Sequence, residues 1–218
     1  MKLLAIFAAA SLTGAFPLID RAPRYQFAGS DQLAFQITQG APADVFAAAS
    51  PKYPEQLWSQ GLCSKPAVFA TNTVVLIVPR ANPARIHSVY DLQRNDIKLV
   101  IGAVGVPVGD YTRKLLANLN LQSVLKNVVS NEDDVKLVVA KVALGEADVG
   151  FVYVTDARPV GARVKTVPLP AWAQPPIRYE IAVVKGGREA AARAFVTRVI
   201  GKVGRTALRK AGFGLPKR

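Results

Sequence analysis

The chain has 218 residues, half of them apolar, and its 28 basic and 15 acidic side chains give a formal net charge of +13. A chain of this length can bury a sizeable core, either as one large domain or as two lobes of about 100 residues each. The single cysteine excludes an intrachain disulfide and a cysteine-rich metal site, and the single histidine argues against histidine-based zinc sites and Ser-His-Asp catalysis.

Strand-like and helix-like segments alternate along the chain. Strands are predicted at 3–9, 24–27, 45–48, 74–78, 99–102, 148–153 and 179–184. Helices are predicted between them at 31–39, 54–60, 89–92, 111–117, 132–144 and 189–200. Several of the strands are apolar throughout, as in a sheet that is covered on both faces. The alternation predicts an α/β fold with mostly parallel sheets flanked by helices.

The opening stretch MKLLAIFAAASLTGAF fits either a secretion signal or a buried strand. A basic residue, an apolar run and small residues are typical of a cleavable signal. However, the run Ala5-Ile-Phe-Ala-Ala-Ala-Ser11 is nearly repeated at Asp44-Val-Phe-Ala-Ala-Ala-Ser50, which follows a helix and a turn. The second copy is therefore a strand, and it favours a strand at 3–9. Any secretion signal of the native gene is then expected upstream of Met1.

The basic side chains are scattered, and only the tail GKVGRTALRKAGFGLPKR concentrates them. Aromatic residues are not interleaved with them as in proteins that stack on bases. Nucleic acid is therefore not an expected partner. The positive charge fits equally well with a general field that attracts small anions.

Several predicted helices begin directly after a strand. Ser11 and Ser30 stand at two such starts, Pro107-Val-Gly-Asp opens a third, and Ser130-Asn-Glu-Asp has the pattern of a capping box at a fourth. Taken singly, each start predicts only a helix cap. Together they indicate an anion site, because ligands of α/β proteins lie at the carboxyl ends of strands and helix N-termini present free N–H groups there. The glycine-rich phosphate loops GxxxxGK[ST] and GxGxxG are absent.

A family resemblance rests on motifs spread along nearly the whole chain. They are, in order, FAAASLTGAF, FAGSDQLAFQITQGAPADVFAAAS, NTVVLIVP, VPVGDYTRKLL, EDDVKLVVAKVALGEADVGFVYVTDA and RYEIAVV. Together they closely resemble the molybdate-binding proteins of ABC-type importers. Each motif alone is a weak signal, whereas their combination in this order is a strong signature.

The resemblance implies a two-lobed periplasmic-binding-protein fold of type II, with the oxyanion in the cleft between the lobes. Carried over by motif, the hydroxyls of Ser11, Ser30 and Tyr153 and the backbone amides of Val108 and Val135 would bind the anion. No residue would be catalytic or would bind molybdenum directly, and no cofactor is implied. The alternative roles are helix caps for the two serines, an ordinary core aromatic for Tyr153, and apolar filler for the two valines.

The chain departs from the family pattern in three places. It is shorter than usual between residues 15 and 24, which implies a truncated first helix. The Asp-Pro that is common before the anion loop is missing, and Val108 is bulkier than the usual small residue there. Asp44 and Asp156 are interpreted as structural residues rather than as ligands. The predicted lobes comprise residues 1–78 with 181–218, and residues 79–180, with hinge strands near 74–78 and 179–184.

The function implied by the resemblance is capture of molybdate, and of tungstate of nearly the same size, for the membrane permease of an ABC importer. The protein is expected to be extracytoplasmic and monomeric and not an enzyme, since no nucleophile–base pair or paired carboxylates stand out. The alternative is a binding or sensor protein of the same fold for another tetrahedral oxyanion such as sulfate. All five implied groups are donors, which suits an anion without protons and disfavours hydrogen phosphate.

Overall fold

The computed structural model describes residues 3–217. Its strands are β1 Ala5–Ala9, β2 Arg24–Ala28, β3 Val45–Ala48, β4 Ala67–Asn72, β5 Val74–Pro79, β6 Leu99–Gly102, β7 Val128–Glu132, β8 Val149–Tyr153, β9 Val164–Val167 and β10 Ile177–Val183. Its α-helices are α1 Phe16–Ile19, α2 Ser30–Thr38, α3 Lys52–Ser59, α4 Pro107–Asn118, α5 Val135–Ala143, α6 Val154–Ala157, α7 Glu189–Ile200 and α8 Lys202–Lys210. Short 3-10 helices lie at Ala10–Leu12, Val89–Gln93, Gln122–Asn127, Arg158–Val160 and Ala171–Ala173. No helix within residues 3–217 has the length and apolar character needed to cross a membrane.

The first of two compact units contains the residues up to Asn72 and those from Ile177 onward. Its five-stranded sheet has the order β2-β1-β3-β10-β4. Strand β1 is parallel to both β2 and β3, whereas β10 is antiparallel to both β3 and β4. One core cluster of this unit joins the sheet to α2 and α3 through residues such as Leu33, Phe46 and Leu57, all fully buried.

The second unit contains Thr73–Pro176 and repeats the same plan. Its sheet has the order β7-β6-β8-β5-β9. Strand β6 is parallel to β7 and β8, and β5 is antiparallel to β8 and β9. Helices α4 and α5 pack against β6 and β8. In each sheet, therefore, a single strand runs against the other four.

The two reversed strands change the predicted architecture in detail. Half of the neighbouring strand pairs are antiparallel, so both sheets are mixed, whereas mostly parallel pairing was predicted. The predicted lobe boundaries, at 78/79 and 180/181, fall inside β5 and β10. The units instead divide at 72/73 and 176/177, because the ladder hydrogen bonds of a strand tie it to one sheet. A hinge role for these strands stays a prediction. Met1, Lys2 and Arg218 of the predicted first lobe lie outside the described residues.

The opening segment forms the strand that the internal repeat predicted. Strand β1 is buried along its whole length and lies between β2 and β3. It begins two residues later than predicted, since Leu3 is 60% exposed and lies outside the strand. The helix that follows, α1, has only 4 residues, as the shortened segment implied.

Candidate functional site

The two serines lie at one edge of the first unit's sheet. Ser11 and Ser30 each come two residues after a strand, and the last residues of those strands, Ala9 and Ala28, are paired in register. Because β1 and β2 are parallel, both serines stand at carboxyl ends of neighbouring strands. Only 4% of Ser11 and 1% of Ser30 are exposed. The structure thus brings these two predicted residues to the same buried edge.

Ser11 lies in the 3-10 helix Ala10–Leu12 and makes no capping hydrogen bond. Its Oγ is 2.9 Å from the Oη of Tyr179 on β10. That phenol oxygen also accepts a hydrogen bond of 3.2 Å from Nδ2 of Asn72, the last residue of β4. The alternative role of Ser11 as a helix cap is therefore wrong, because its hydroxyl is engaged with a side chain of another strand.

Ser30 is the first residue of α2, and the N-cap position is held by Gly29 without a side-chain capping bond. The backbone N–H of Ala49 donates to Ser30 Oγ at 3.1 Å. A hydroxyl oxygen that accepts a bond from an amide keeps its own hydrogen to donate. The alternative role of Ser30 as a helix cap is therefore wrong as well. Its hydroxyl has a hydrogen that it can donate to an anion.

The predicted residues of the second unit lie at the carboxyl ends of three neighbouring parallel strands. Val108 follows β6 as the second residue of α4, Val135 follows β7 as the first residue of α5, and Tyr153 is the last residue of β8. The strand order β7-β6-β8 brings these ends to one edge. The first N–H groups of a helix have no partner within the helix, so the amides of both valines can donate to an anion. All three side chains are buried.

The start of α4 packs closely on β6. A Cβ on Gly109 would overlap the carbonyl oxygens of Gly102 and Ala103 and would lie 2.6 Å from the Gly102 carbonyl carbon. Only glycine allows this approach, which places the neighbouring amide of Val108 next to the end of β6.

The predicted capping box at Ser130 is wrong. Ser130 lies in β7, where it donates to Glu132 Oε1 and accepts from Lys141 Nζ. Helix α5 is capped instead by Asp134, whose carboxylate accepts from the amides of the second and third helical residues at 2.6 and 3.1 Å. Pairing of β7 with β6 keeps the chain extended through Glu132, so the helix begins three residues later than predicted.

Each of the two aspartates of the motifs makes contacts within its own unit. Asp44 accepts hydrogen bonds from the amides of Ala5 and Arg188 and from the Arg188 guanidinium. Burial by itself would raise the pKa of Asp44, but these bonds outweigh it and hold the pKa below 3.8. Asp156 is fully buried and lies 2.6 Å from Lys136 Nζ; its burial raises its pKa, which the lysine opposes. These contacts are those of structural residues, and a structural role stays the prediction for both aspartates.

Three polar residues near the first unit's edge were missed from the sequence: Asn72, Tyr179 and Glu180. Glu180 is 7% exposed and pairs with Ala48, the last residue of β3. Burial raises the pKa of Glu180, the charge of Glu55 raises it further, and Arg178 opposes them. The sequence does contain a signal for Tyr179 and Glu180, because they are polar residues in the otherwise apolar strand predicted at 179–184.

Metal-binding and cysteine chemistry have little support in the described part of the chain. Residues 3–217 contain no group of three His, Cys, Asp or Glu side chains that could hold a metal ion. Cys63 is buried, and burial raises the pKa of its thiol to about 11. This thiol is therefore protonated at neutral pH.

Helix N-termini at the carboxyl ends of parallel strands are typical of proteins that bind a small anion. The chain belongs to the family of bacterial extracellular solute-binding proteins, whose model matches residues 21–214. It is 39% identical over 224 residues to the molybdate-binding protein ModA of Mycobacterium tuberculosis. This match covers 98% of this chain and 85% of that protein. It is 36% identical to ModA of Haemophilus influenzae over 88% of this chain and 82% of that protein.

The fold agrees with a solved structure of the same kind. The periplasmic molybdate-binding protein of Azotobacter vinelandii superposes with a TM-score of 0.86 over 98% of this chain and 100% of the other. At 24% identity this similarity concerns the fold alone. It establishes the two-lobed periplasmic-binding-protein fold expected from the motifs.

Proposed function

We propose that this chain is the molybdate-binding component of an ABC importer, with tungstate as a second ligand. The observation that carries the proposal is the polarity of the buried edge, where Ser30 accepts from the Ala49 amide and so keeps its hydrogen for a ligand. The names of the relatives support molybdate as the ligand, because they are molybdate-binding proteins over most of this chain's length.

The proposed ligand groups are the hydroxyls of Ser11, Ser30 and Tyr153 and the amides of Val108 and Val135. All five are neutral donors, and none brings a negative charge to the anion. Molybdate carries no proton at neutral pH, so it needs donors only. Hydrogen phosphate carries one proton and leaves it unpaired unless the site offers an acceptor, which costs affinity.

Neutral ligands also suit capture followed by release. Because no fixed cation holds the dianion, it can leave again for the membrane permease. The net charge of +13, most of which belongs to the first unit, would raise the rate at which anions arrive. The proposed protein acts as an extracytoplasmic monomer and carries out no catalytic step.

Calorimetric titration with molybdate, tungstate, sulfate and phosphate tests this function. Molybdate and tungstate should bind and should raise the melting temperature by mass action, whereas phosphate should do little near neutral pH. Sulfate should bind more weakly, since its bonds are shorter and its oxygens reach fewer donors at once. Tighter binding of sulfate than of molybdate would show that the chain serves another oxyanion, and equal stabilisation by phosphate would refute the donor-only site.

A further inference from the structure

Helix α8 presents a basic face to the solvent. One side of the helix is buried through Gly204, Ala207 and Leu208. The basic residues of its other side, which we call the α8 basic face, are Lys202, Arg205, Arg209 and Lys210. Arg205 is half-buried and the others are exposed. No carboxylate of residues 3–217 forms an ion pair with any of them, so their charges are not compensated within the described chain.

The surrounding sequence adds to this charge. The stretch 190–217 contains no Asp or Glu, and its basic residues are Arg193, Arg198, Lys202, Arg205, Arg209, Lys210 and Lys217. Within the part of the chain that the structure describes, Arg193 pairs with Glu189 and Arg198 pairs with Asp20. The positive potential of this stretch therefore centres on α8.

Exposed aliphatic side chains lie close in the chain or in the fold to the α8 basic face. Val203 within the helix is 56% exposed, and Ile200, two residues before it, is 37% exposed. Leu18 is 47% exposed and belongs to α1, which packs against α8. Single exposed aliphatic residues are ordinary on a protein surface. A basic helix face that also carries aliphatic side chains, however, is typical of helices that lie on a membrane surface.

Packing fixes the direction in which this face points. A Cβ on Gly204 would overlap the carbonyl oxygen of Val199, so α8 lies close to the end of α7. Leu208, on the same side of α8, is fully buried. The helix cannot roll about its axis without exposing Leu208 and opening this close contact. The basic residues therefore point outward in the folded protein without help from a partner.

We infer that the α8 basic face, together with Val203, binds the anionic phospholipid headgroups of a membrane surface. Lysine and arginine near such a surface are attracted by its negative potential over roughly one Debye length, about 10 Å at 0.1 M salt. The cations of one rigid face act on the same patch of lipid, and Val203 adds apolar area that leaves water at the interface. The resulting association is weak, reversible and sensitive to salt.

A lipid surface fits this face better than an acidic protein does. Both would attract the cations, but the lipid interface has an apolar layer directly beneath its charges, where Val203 and its aliphatic neighbours can be accommodated. The inference goes beyond the proposed function and does not depend on which anion is captured. Under the proposed function, the association would hold the protein near the membrane permease.

Co-sedimentation of the purified protein with vesicles tests this inference. We expect binding to vesicles of equimolar phosphatidylglycerol and phosphatidylcholine, and little or none to vesicles of pure phosphatidylcholine. Raising the salt concentration to about 1 M should release most of the bound protein, because it shortens the Debye length to roughly 3 Å. Equal binding to both kinds of vesicle would overturn the inference.

The variant Lys202→Gln/Arg209→Gln/Lys210→Gln removes three exposed cations and leaves the buried side of α8 intact. Each lost charge should weaken binding to the anionic vesicles about 5-fold, so the partition coefficient should fall about 100-fold. Its melting temperature should stay near that of the parent, since exposed substitutions of this kind change stability little.

A matched control removes the same amount of charge from the second unit, as Lys98→Gln/Lys126→Gln/Lys165→Gln. These lysines are exposed and form no ion pair with a carboxylate of residues 3–217. The control should change the partition coefficient by less than about 3-fold, because screening confines the attraction to charges near the lipid. Equal losses in the two triple variants would show that net charge alone attracts the protein, and the inference would then be wrong.

Val203→Thr distinguishes a lipid surface from an acidic protein partner. It keeps the β-branched shape and removes apolar area, so binding to the anionic vesicles should weaken about 2- to 3-fold while binding to polyglutamate stays unchanged. Polyglutamate that binds the parent as tightly as the anionic vesicles do, at equal concentration of charge, would assign the face to an acidic protein instead.

Titration calorimetry with molybdate on the same proteins keeps this inference separate from the proposed function. Both triple variants should retain the parent's affinity within about 3-fold, since they leave the proposed ligand groups unchanged and alter only the general field. A parent that binds the anionic vesicles but no molybdate would refute the proposed function and support the membrane association. A parent that binds molybdate but no vesicles would do the reverse.

Discussion

Gly109→Ala should destabilise the second unit and weaken molybdate binding together. The added methyl would overlap the carbonyl oxygens of Gly102 and Ala103, which belong to the backbone at the end of β6. Backbone atoms of a central strand cannot rotate away as a side chain can. Helix α4 must therefore move outward at its N-terminus, and the amide of Val108 moves with it.

Two opposing effects decide the size of the change. Alanine is favoured over glycine inside a helix by roughly 0.5–1 kcal/mol. Overpacking by a methylene or methyl typically costs about 1–3 kcal/mol, and contacts with a rigid strand place this site in the upper half of that range. We expect a net loss of about 1–2.5 kcal/mol in the free energy of unfolding. Molybdate affinity should fall about tenfold or more, as for one lost charge-assisted hydrogen bond.

Urea unfolding without ligand and calorimetric titration measure the two effects on the same preparation. Gly14→Ala is the control, because a Cβ there meets nothing within 4 Å and the backbone needs no left-handed conformation. It should change the free energy of unfolding by less than about 0.5 kcal/mol. An unfolding free energy of Gly109→Ala at or above that of the parent would refute the close packing of α4 on β6.

Three further predictions concern single side chains. Ser11→Ala and Ser30→Ala should each weaken molybdate binding by about 10- to 150-fold in titration calorimetry, and losses within about 3-fold for both would remove them from the site. Because burial raises the pKa of Glu180 above 4.5, the folded protein retains a proton there that the unfolded chain releases, and stability falls as the pH rises above that value. Glu180→Gln should therefore raise the melting temperature near neutral pH and have less effect in acid; a lower melting temperature at neutral pH would contradict this. Because its hydrogen bonds lower the pKa of Asp44 despite its burial, this carboxylate stabilises the fold above about pH 3.8 and loses that effect as the pH falls through its folded pKa. Asp44→Asn should therefore lower the free energy of unfolding at neutral pH, and this free energy should fall less steeply than that of the parent as the pH is lowered. An acid profile equal to that of the parent would contradict this prediction.

The sequence alone determined the central strands of both sheets. Strands β3 and β6 were predicted with the bounds that the structure has, and both are buried at every residue. A strand with neighbours on both sides and helices on both faces must be apolar throughout, so its pattern can be recognised without knowing its partners. Strand β1 could be recognised for the same reason, after its internal repeat had favoured a strand over a secretion signal.

The strands missed from the sequence, β4, β7 and β9, are all at the edges of their sheets. Each has one hydrogen-bonded neighbouring strand, and none is buried along its whole length; β7 and β9 also lack a continuous apolar run. Helix α8 was missed because its sequence is strongly polar and contains Gly204, which packs against the carbonyl of Val199. These elements owe their conformation to partners far away in the chain.

The motifs placed Ser11 and Ser30 after the correct strands, but only the tertiary structure decided what their hydroxyls can do. Tyr179 is separated from Ser11 by 168 residues, and the two meet because β10 joins the sheet next to β3. Ala49 reaches Ser30 in the same way, across 19 residues. The direction of a hydroxyl depends on which donors surround it, and local periodicity carries no information about groups that only strand order brings together.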